Sequence, residues 1–134
     1  MANAGDGYII TLQKPHLEWG EYRFTGSRGI VYGEGYIPIP TGEARRLNLL
    51  NSNGTHNRDV WGENLFNCSS ADGEFRCVLR AQGCSRAGEP FAKQFAGNNN
   101  LKALGDWFYH IGAKEGDQLK VMWTSPTDIV LELI

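Results

Sequence analysis

Two stretches of this chain concentrate side chains that donate hydrogen bonds or carry positive charge. Arg23, Thr25, Ser27, Arg28 and Tyr32 lie in one, and Arg80, Gln82, Ser85, Arg86, Lys93 and Gln94 lie in or beside the other. The chemistry these residue types share is the recognition of polar and anionic edges. Arginine can bond bidentately to guanine O6 and N7, and glutamine to adenine N6 and N7, each pairing worth ~1–3 kcal/mol of discrimination. Hydroxyls, lysines and backbone N–H groups suit phosphate oxygens, which fix register without reading sequence.

A structural role competes with each of these. Arg23 alternates with Tyr22 and Phe24 and equally fits the outer face of a strand. Arg76 and Arg80 fit solvated strand positions, and for Arg76 that reading is preferred. Arg28 and Arg86 fall at loop tips, where packing offers them no role, so binding leads there. Arg45 and Arg46 fall on the exposed face of a predicted helix, where solvation and phosphate contact stay equally open. Glu34 and Glu89 could accept a cytosine N4–H or simply hold an arginine in place.

Catalytic spacing is missing. His16, His56 and His110 stand far apart, and none begins a His-x-Lys pair. The chain has no carboxylate-x-Lys pattern, no H-E-x-x-H and no Walker-type glycine loop. His110 falls beside an apolar helix face, as a structural histidine would. Cys68, Cys77 and Cys84 are odd in number and lack C-x-x-C spacing, so neither a zinc ribbon nor a disulfide framework is expected. Counting outward from Asp72-Gly73 places Cys68 opposite Cys77, a buried cross-strand thiol pair. No enzyme activity, metal or cofactor is expected of this chain.

The formal net charge of −2 argues at first against a polyanionic partner. Its distribution argues the other way. Residues 76–102 carry Arg76, Arg80, Arg86, Lys93 and Lys102 against Glu89 alone, whereas the flanking segments are both acidic. Local potential, not net charge, attracts phosphate.

The elements that must position these residues are short. With 134 residues, 17 glycines and five prolines, the chain fits one β-rich domain over residues 1–134. Strands are expected at residues 7–13 and 16–24, then a shaped loop at 25–35. A short edge strand follows at 36–40, where the prolines cannot donate ladder bonds. Thr41 is placed to cap a helix over Thr41–Leu50 with Ala44 and Leu47 inward. After a polar loop at 51–59 comes a hairpin over 64–82 around Asp72-Gly73, with Phe66 opposite Leu79. In it Phe75, Cys77, Leu79 and Ala81 point inward, and Glu74, Arg76, Arg80 and Gln82 outward.

Residues 83–90 form a second shaped loop, with a brief strand at 91–95 and a chain break over Gly97 to Asn100. Leu101, Leu104, Phe108 and Ile111 recur at helical spacing between Asn100 as N-cap and Gly112. A turn at 114–117 leads to a strand with Leu119, Val121 and Trp123 inward. After a turn at 126–128, residues 129–134 close the sheet. Trp107, Phe108 and Trp123 read as packing residues. No apolar run approaches the ~18 residues of a membrane span. Residues 1–5 lack a secretory signal, so a soluble, cytoplasmic protein is expected.

Two segments carry a family resemblance. Gly33-Glu34-Gly35-Tyr36-Ile37-Pro38-Ile39-Pro40, leading into the Thr41–Leu50 helix, is similar to a loop, a strand ending in Ile-Pro, and a first helix. Leu104-Gly105-Asp106-Trp107-Phe108 through Ile111 to Val121 is similar to a closing helix, turn, Gly-Asp and strand. In this order they resemble the B3-type DNA-binding domain over roughly residues 16–134. That family includes plant transcription-factor domains and the specificity domains of EcoRII-, BfiI- and NgoAVII-like restriction endonucleases. The Ile-Pro wording sits closer to the bacterial branch.

The resemblance implies a mostly β, seven- to eight-stranded half-open pseudobarrel with two short α-helices. It also implies sequence-specific binding of double-stranded DNA in the major groove by two arms, here residues 23–34 and 80–94. A nuclease catalytic domain would be a partner in the same polypeptide or complex. Two alternatives stand beside this reading: a β-barrel protein-interaction module meeting an acidic partner, and a small nuclease with an unrecognised active site.

Overall fold

The computed structural model describes residues 2–13, 35–52, 59–83, 90–100 and 102–134. Among them seven strands form one sheet: β1 Gly7–Thr11, β2 Ile37–Pro38, β3 Leu65–Ser70, β4 Arg76–Gln82, β5 Gln94–Gly97, β6 Gln118–Ser125 and β7 Asp128–Leu133. Two helices accompany them, α1 Thr41–Arg46 and α2 Ala103–His110. The strand order is β1-β6-β7-β3-β4-β5-β2, with β3 and β7 parallel and every other pair antiparallel.

The sheet curls into a nearly closed barrel. Trp123 on β6 and Phe95 on β5 are far apart in strand order, yet their ring centroids lie 6.2 Å apart. Phe66 of β3 meets both edge-on, at 5.6 Å from Phe95 and 5.9 Å from Trp123. Contacts of this kind require the inner face to wrap around one core. The end strands β1 and β2 do not share a ladder. Side chains span the seam instead: the Tyr8 hydroxyl donates to the Pro38 carbonyl at 3.1 Å. Arg46 of α1 reaches the Gly7 carbonyl at 3.1 Å and Asp6 at 3.6 Å.

The expected hairpin register holds, with Cys68 opposite Cys77 and Phe66 opposite Leu79. Leu119, Val121 and Trp123 are fully buried, as their alternation predicts, and Trp107 and Phe108 are buried packing residues. The strand at 36–40 is reduced to Ile37–Pro38 and does lie at the end of the sheet. The expected strand at 16–24 and the loop at 25–34 lie outside the described residues. No helix among the described residues is long and apolar enough to cross a membrane.

Several local expectations are corrected. Pro40, not Thr41, is the N-cap of α1, and no side chain caps it. The helix stops at Arg46 because Asn48 turns left-handed, at φ 53°, and the chain leaves as Leu50 bridges to Phe91. That bridge explains why β5 begins at Gln94 and not at 91: Phe91 and Ala92 are engaged with residues 49–50. Gly97 belongs to β5 and does not break it. Lys102, not Asn100, is the N-cap of α2, again without a side-chain bond. Cys68 is buried but Cys77 only half-buried, and both are free thiols. Burial pushes the Cys68 thiol well above its ordinary range. His110 is exposed, 3.2 Å from Glu74, and is not packed beside the core.

The hairpin turn is wider than a two-residue loop: residues 71–74 cross between the strands, with Gly73 at φ 77°. Asp72 organises it. Its carboxylate accepts from the Ser70 hydroxyl, from the Glu74 N–H at 2.8 Å and from Trp107 Nε1 at 3.3 Å. The Ser70 hydroxyl, followed by the Glu74 N–H, holds this carboxyl below the usual carboxylate range. A pKa depressed in the folded state contributes stability above the unfolded value, ~3.9, and that stability is lost as pH falls through the folded value. Asp72→Asn is therefore expected to lower stability at pH 7 and to flatten its decline below pH ~4. Urea denaturation at a series of pH values measures both.

Candidate nucleic-acid interface

The expected second arm, residues 80–94, takes in the end of the β4–β5 ladder. Arg80, Ala81 and Gln82 pair with Ala96, Phe95 and Gln94, and the Lys93 N–H donates to the Gln82 carbonyl at 2.9 Å. Residues 84–89 join these two strand ends. Alternation puts the buried Ala81 and Phe95 on the inner face and sends Arg80, Gln82 and Gln94 the other way. Gln82 and Gln94 are directly opposite, and Lys93 is exposed beside them. Four of the residues singled out from sequence thus meet at the foot of one loop. Ser85 and Arg86 lie outside the described residues, as do Arg23, Thr25, Ser27, Arg28 and Tyr32 of the first arm.

This foot is braced from behind. The Asn51 N–H donates to the Pro90 carbonyl at 2.9 Å, Ser52 N–H to Ala81 at 3.0 Å and Ala92 N–H to Leu49 at 2.9 Å. The Asn64 carbonyl accepts from the Ala81 N–H at 2.9 Å, while its side chain accepts from the Val60 N–H at 2.7 Å. Asn51 and Asn64 are wholly buried. Buried backbone groups need partners, and meeting that need with two asparagine-containing loops fixes the foot in place. Side chains on a foot held this way are positioned by the fold itself.

The arginines divide by their surroundings. Arg80 is ion-paired with Asp59, at contact distance, and is about 35 % exposed. Its charge is therefore already partnered, although it stands on the outward face as expected. Arg76 is an exposed strand residue, as the solvated reading has it. Arg46 is committed to Glu43, Asp6 and the Gly7 carbonyl. Arg45 is paired with no such acid among the described residues; its guanidinium carbon lies 5.8 Å from the centre of the Phe91 ring. Among the described residues no group of three or more His, Cys, Asp or Glu is placed to hold a metal.

Sequence reasoning missed Asp59, because nothing local links it to an arginine 21 positions away. It also missed Trp61, which is 46 % exposed beside Val60 in the loop that braces the foot. No periodic pattern marks that loop, so the sequence carried no signal for either.

No family model matches the chain, and no curated protein does. Solved structures do. The hypothetical Arabidopsis thaliana protein At1g16640.1 superposes with a TM-score of 0.50, covering 100% of this chain and 95% of its own, at 11% identity. The fold is the B3-type pseudobarrel. Two further structures are similar. The N-terminal domain of Helicobacter pylori LlaJI.R1 has 12% identity and a TM-score of 0.49, covering 96% of this chain and 87% of its own. FUS3 of Arabidopsis, solved in complex with DNA, has 11% identity and a TM-score of 0.48, covering 94% and 93%. In this B3 pseudobarrel the expected seven- to eight-stranded architecture is met by the seven strands and two helices of the described residues. The braced foot at the β4–β5 end is the surface where chemistry-bearing residues converge.

Proposed function

We propose that this B3 pseudobarrel binds double-stranded DNA and reads a short sequence in the major groove with two loop arms. It would serve as the specificity module of a type II restriction endonuclease or as a stand-alone relative. The observation that carries the reading is the convergence of Gln82, Lys93 and Gln94 at the rigid foot of residues 84–89, inside the basic run of the chain. Amide and cationic donors on a braced foot are what base edges and phosphates require. The likeness of residues 33–50 and 104–121 to B3 DNA-binding domains supports the same reading. The chain itself is proposed to be a single non-catalytic domain, with any cleavage performed by another.

Selection of bound duplexes from a random pool tests this, with affinity of the winner followed against salt. Each phosphate contact contributes about −0.9 to the slope of log K against log salt. Absence of binding to every duplex at low salt would sink the proposal, and turnover with Mg²⁺ or Mn²⁺ would sink the non-catalytic part. Within the second arm, Arg86→Ala is expected to lose ~1–3 kcal/mol of specific binding and to relax preference at one base pair. Gln82→Ala should do the same at a second position. If both variants bind like the parent, the second arm does not read bases.

A further inference from the structure

We propose that Arg45, Lys93 and Thr41 form a seat for one backbone phosphate of the bound duplex, on the flank of the second arm's foot. The inference rests on the DNA-binding reading above and adds to it two residues of α1, outside both arms, that would act together with Lys93 of the second arm. A depression of about 160 Å³ separates α1 from the segment leading into β5. It is lined by Thr41, Ala44 and Arg45 on one side and by Phe91, Ala92 and Lys93 on the other. That volume is several times the ~30 Å³ share of a water molecule, room enough for a tetrahedral anion.

The two consecutive arginines of α1 make the contrast that points to a ligand. Arg46 bonds Glu43 through Nε at 2.9 Å and through a terminal nitrogen at 2.5 Å, and also reaches Asp6 and the Gly7 carbonyl. Its charge is absorbed within the fold. Arg45 faces the depression, and its partner among the described residues is the ring of Phe91. A ring quadrupole orients a guanidinium without supplying a compensating unit charge. Arg45 is thus held in place but left cationic.

Lys93 is fixed by its backbone on both sides. Its N–H donates to Gln82 of β4, and its carbonyl accepts from Ile39, just after β2, at 2.9 Å. No carboxylate lines the depression among the described residues. Glu43, the nearest acid in sequence, is already engaged by Arg46. A planar guanidinium and a hydroxyl on α1, facing a point-charge ammonium on the segment before β5, match the oxygens of a phosphodiester. A phosphate seated here would set the register of one strand beside the arm without reading a base.

The test uses the full chain and the duplex chosen by selection. Arg45→Gln keeps a planar group over Phe91 while removing the charge; Lys93→Ala and the double variant accompany it. Each single variant is expected to weaken binding three- to tenfold, uniformly across sequences. Because both side chains address one phosphate, the salt slope should fall by about 1 in each single variant and by no more in the double. A methylphosphonate placed in turn at each backbone position should cost the parent affinity at one position that costs the double variant nothing. Parental salt slopes in both single variants, or sensitivity at two different positions, would overturn the seat. Tight binding of inorganic phosphate by the parent, with duplex affinity untouched in Arg45→Gln, would also overturn it in favour of a free anion. If the parent binds no duplex, the DNA-binding reading itself falls; if Arg86→Ala weakens binding and these variants do not, the seat alone falls.

Discussion

Trp123→Ala is expected to destabilise the barrel by ~3–5 kcal/mol, the cost of deleting a large buried aromatic side chain. The site leaves little scope for relief. Trp123 is fully buried, and its neighbours Tyr8, Phe66 and Phe95 stand on three other strands. A cavity there could collapse only if strands distant in the sheet moved together. Urea denaturation should show a lower midpoint with an unchanged slope, the mark of lost stability without a changed denatured state. Trp123→Phe, which keeps a ring in contact with the same partners, should recover most of the loss. A cost below ~1 kcal/mol for the alanine variant would mean that the barrel is not organised around this residue.

The second large effect is expected at Gly97. Any Cβ there would lie 2.1 Å from the Asn100 carbonyl oxygen and 3.0 Å from the Ala103 Cβ. The chain doubles back after β5: Asn100 N–H returns to Gly97 at 3.3 Å, and Ala103 N–H to Asn100 at 3.2 Å, opening α2. Backbone cannot yield as a flexible side chain does, so even alanine must displace this turn. Gly97→Val is expected to reach or exceed the upper end of the ~1–3 kcal/mol that overpacking costs, with Gly97→Ala somewhat less. Thermal unfolding checks both. Their DNA affinity, corrected for the folded fraction, should be close to the parent's, because the turn lies at the end of β5 away from the arm.

What was legible in the sequence was whatever local pattern alone determines. Asp72-Gly73 with alternation on both sides fixes the β3–β4 register, and with it the facing of Arg80 and Gln82. Leu119, Val121 and Trp123 announce β6 in the same way. The errors fall where a distant partner decides. Phe91 and Ala92 look like a strand continuous with Gln94, but Leu49 and Leu50 claim them, and no local signal encodes that pairing. Arg80 looks free until Asp59 arrives from another loop. Cys77 follows the inward alternation, yet burial depends on what covers each strand as well as on the face it occupies. In the candidate site, residue types could be read directly, whereas the opposition of Gln82 and Gln94 emerges only once β4 and β5 are paired.

The seam between β1 and β2 has an evolutionary consequence. A ladder would tie the two strands residue by residue, so every insertion between them would have to preserve alignment. Closure by a phenol hydroxyl and an arginine fork makes no such demand on the segment that joins β1 to β2 in sequence, provided that Tyr8, Pro38 and Arg46 hold their places. The proposed first arm lies within that segment. A scaffold joined in this manner can acquire a new recognition segment without redesigning its core, which makes the seam a natural point for diversification.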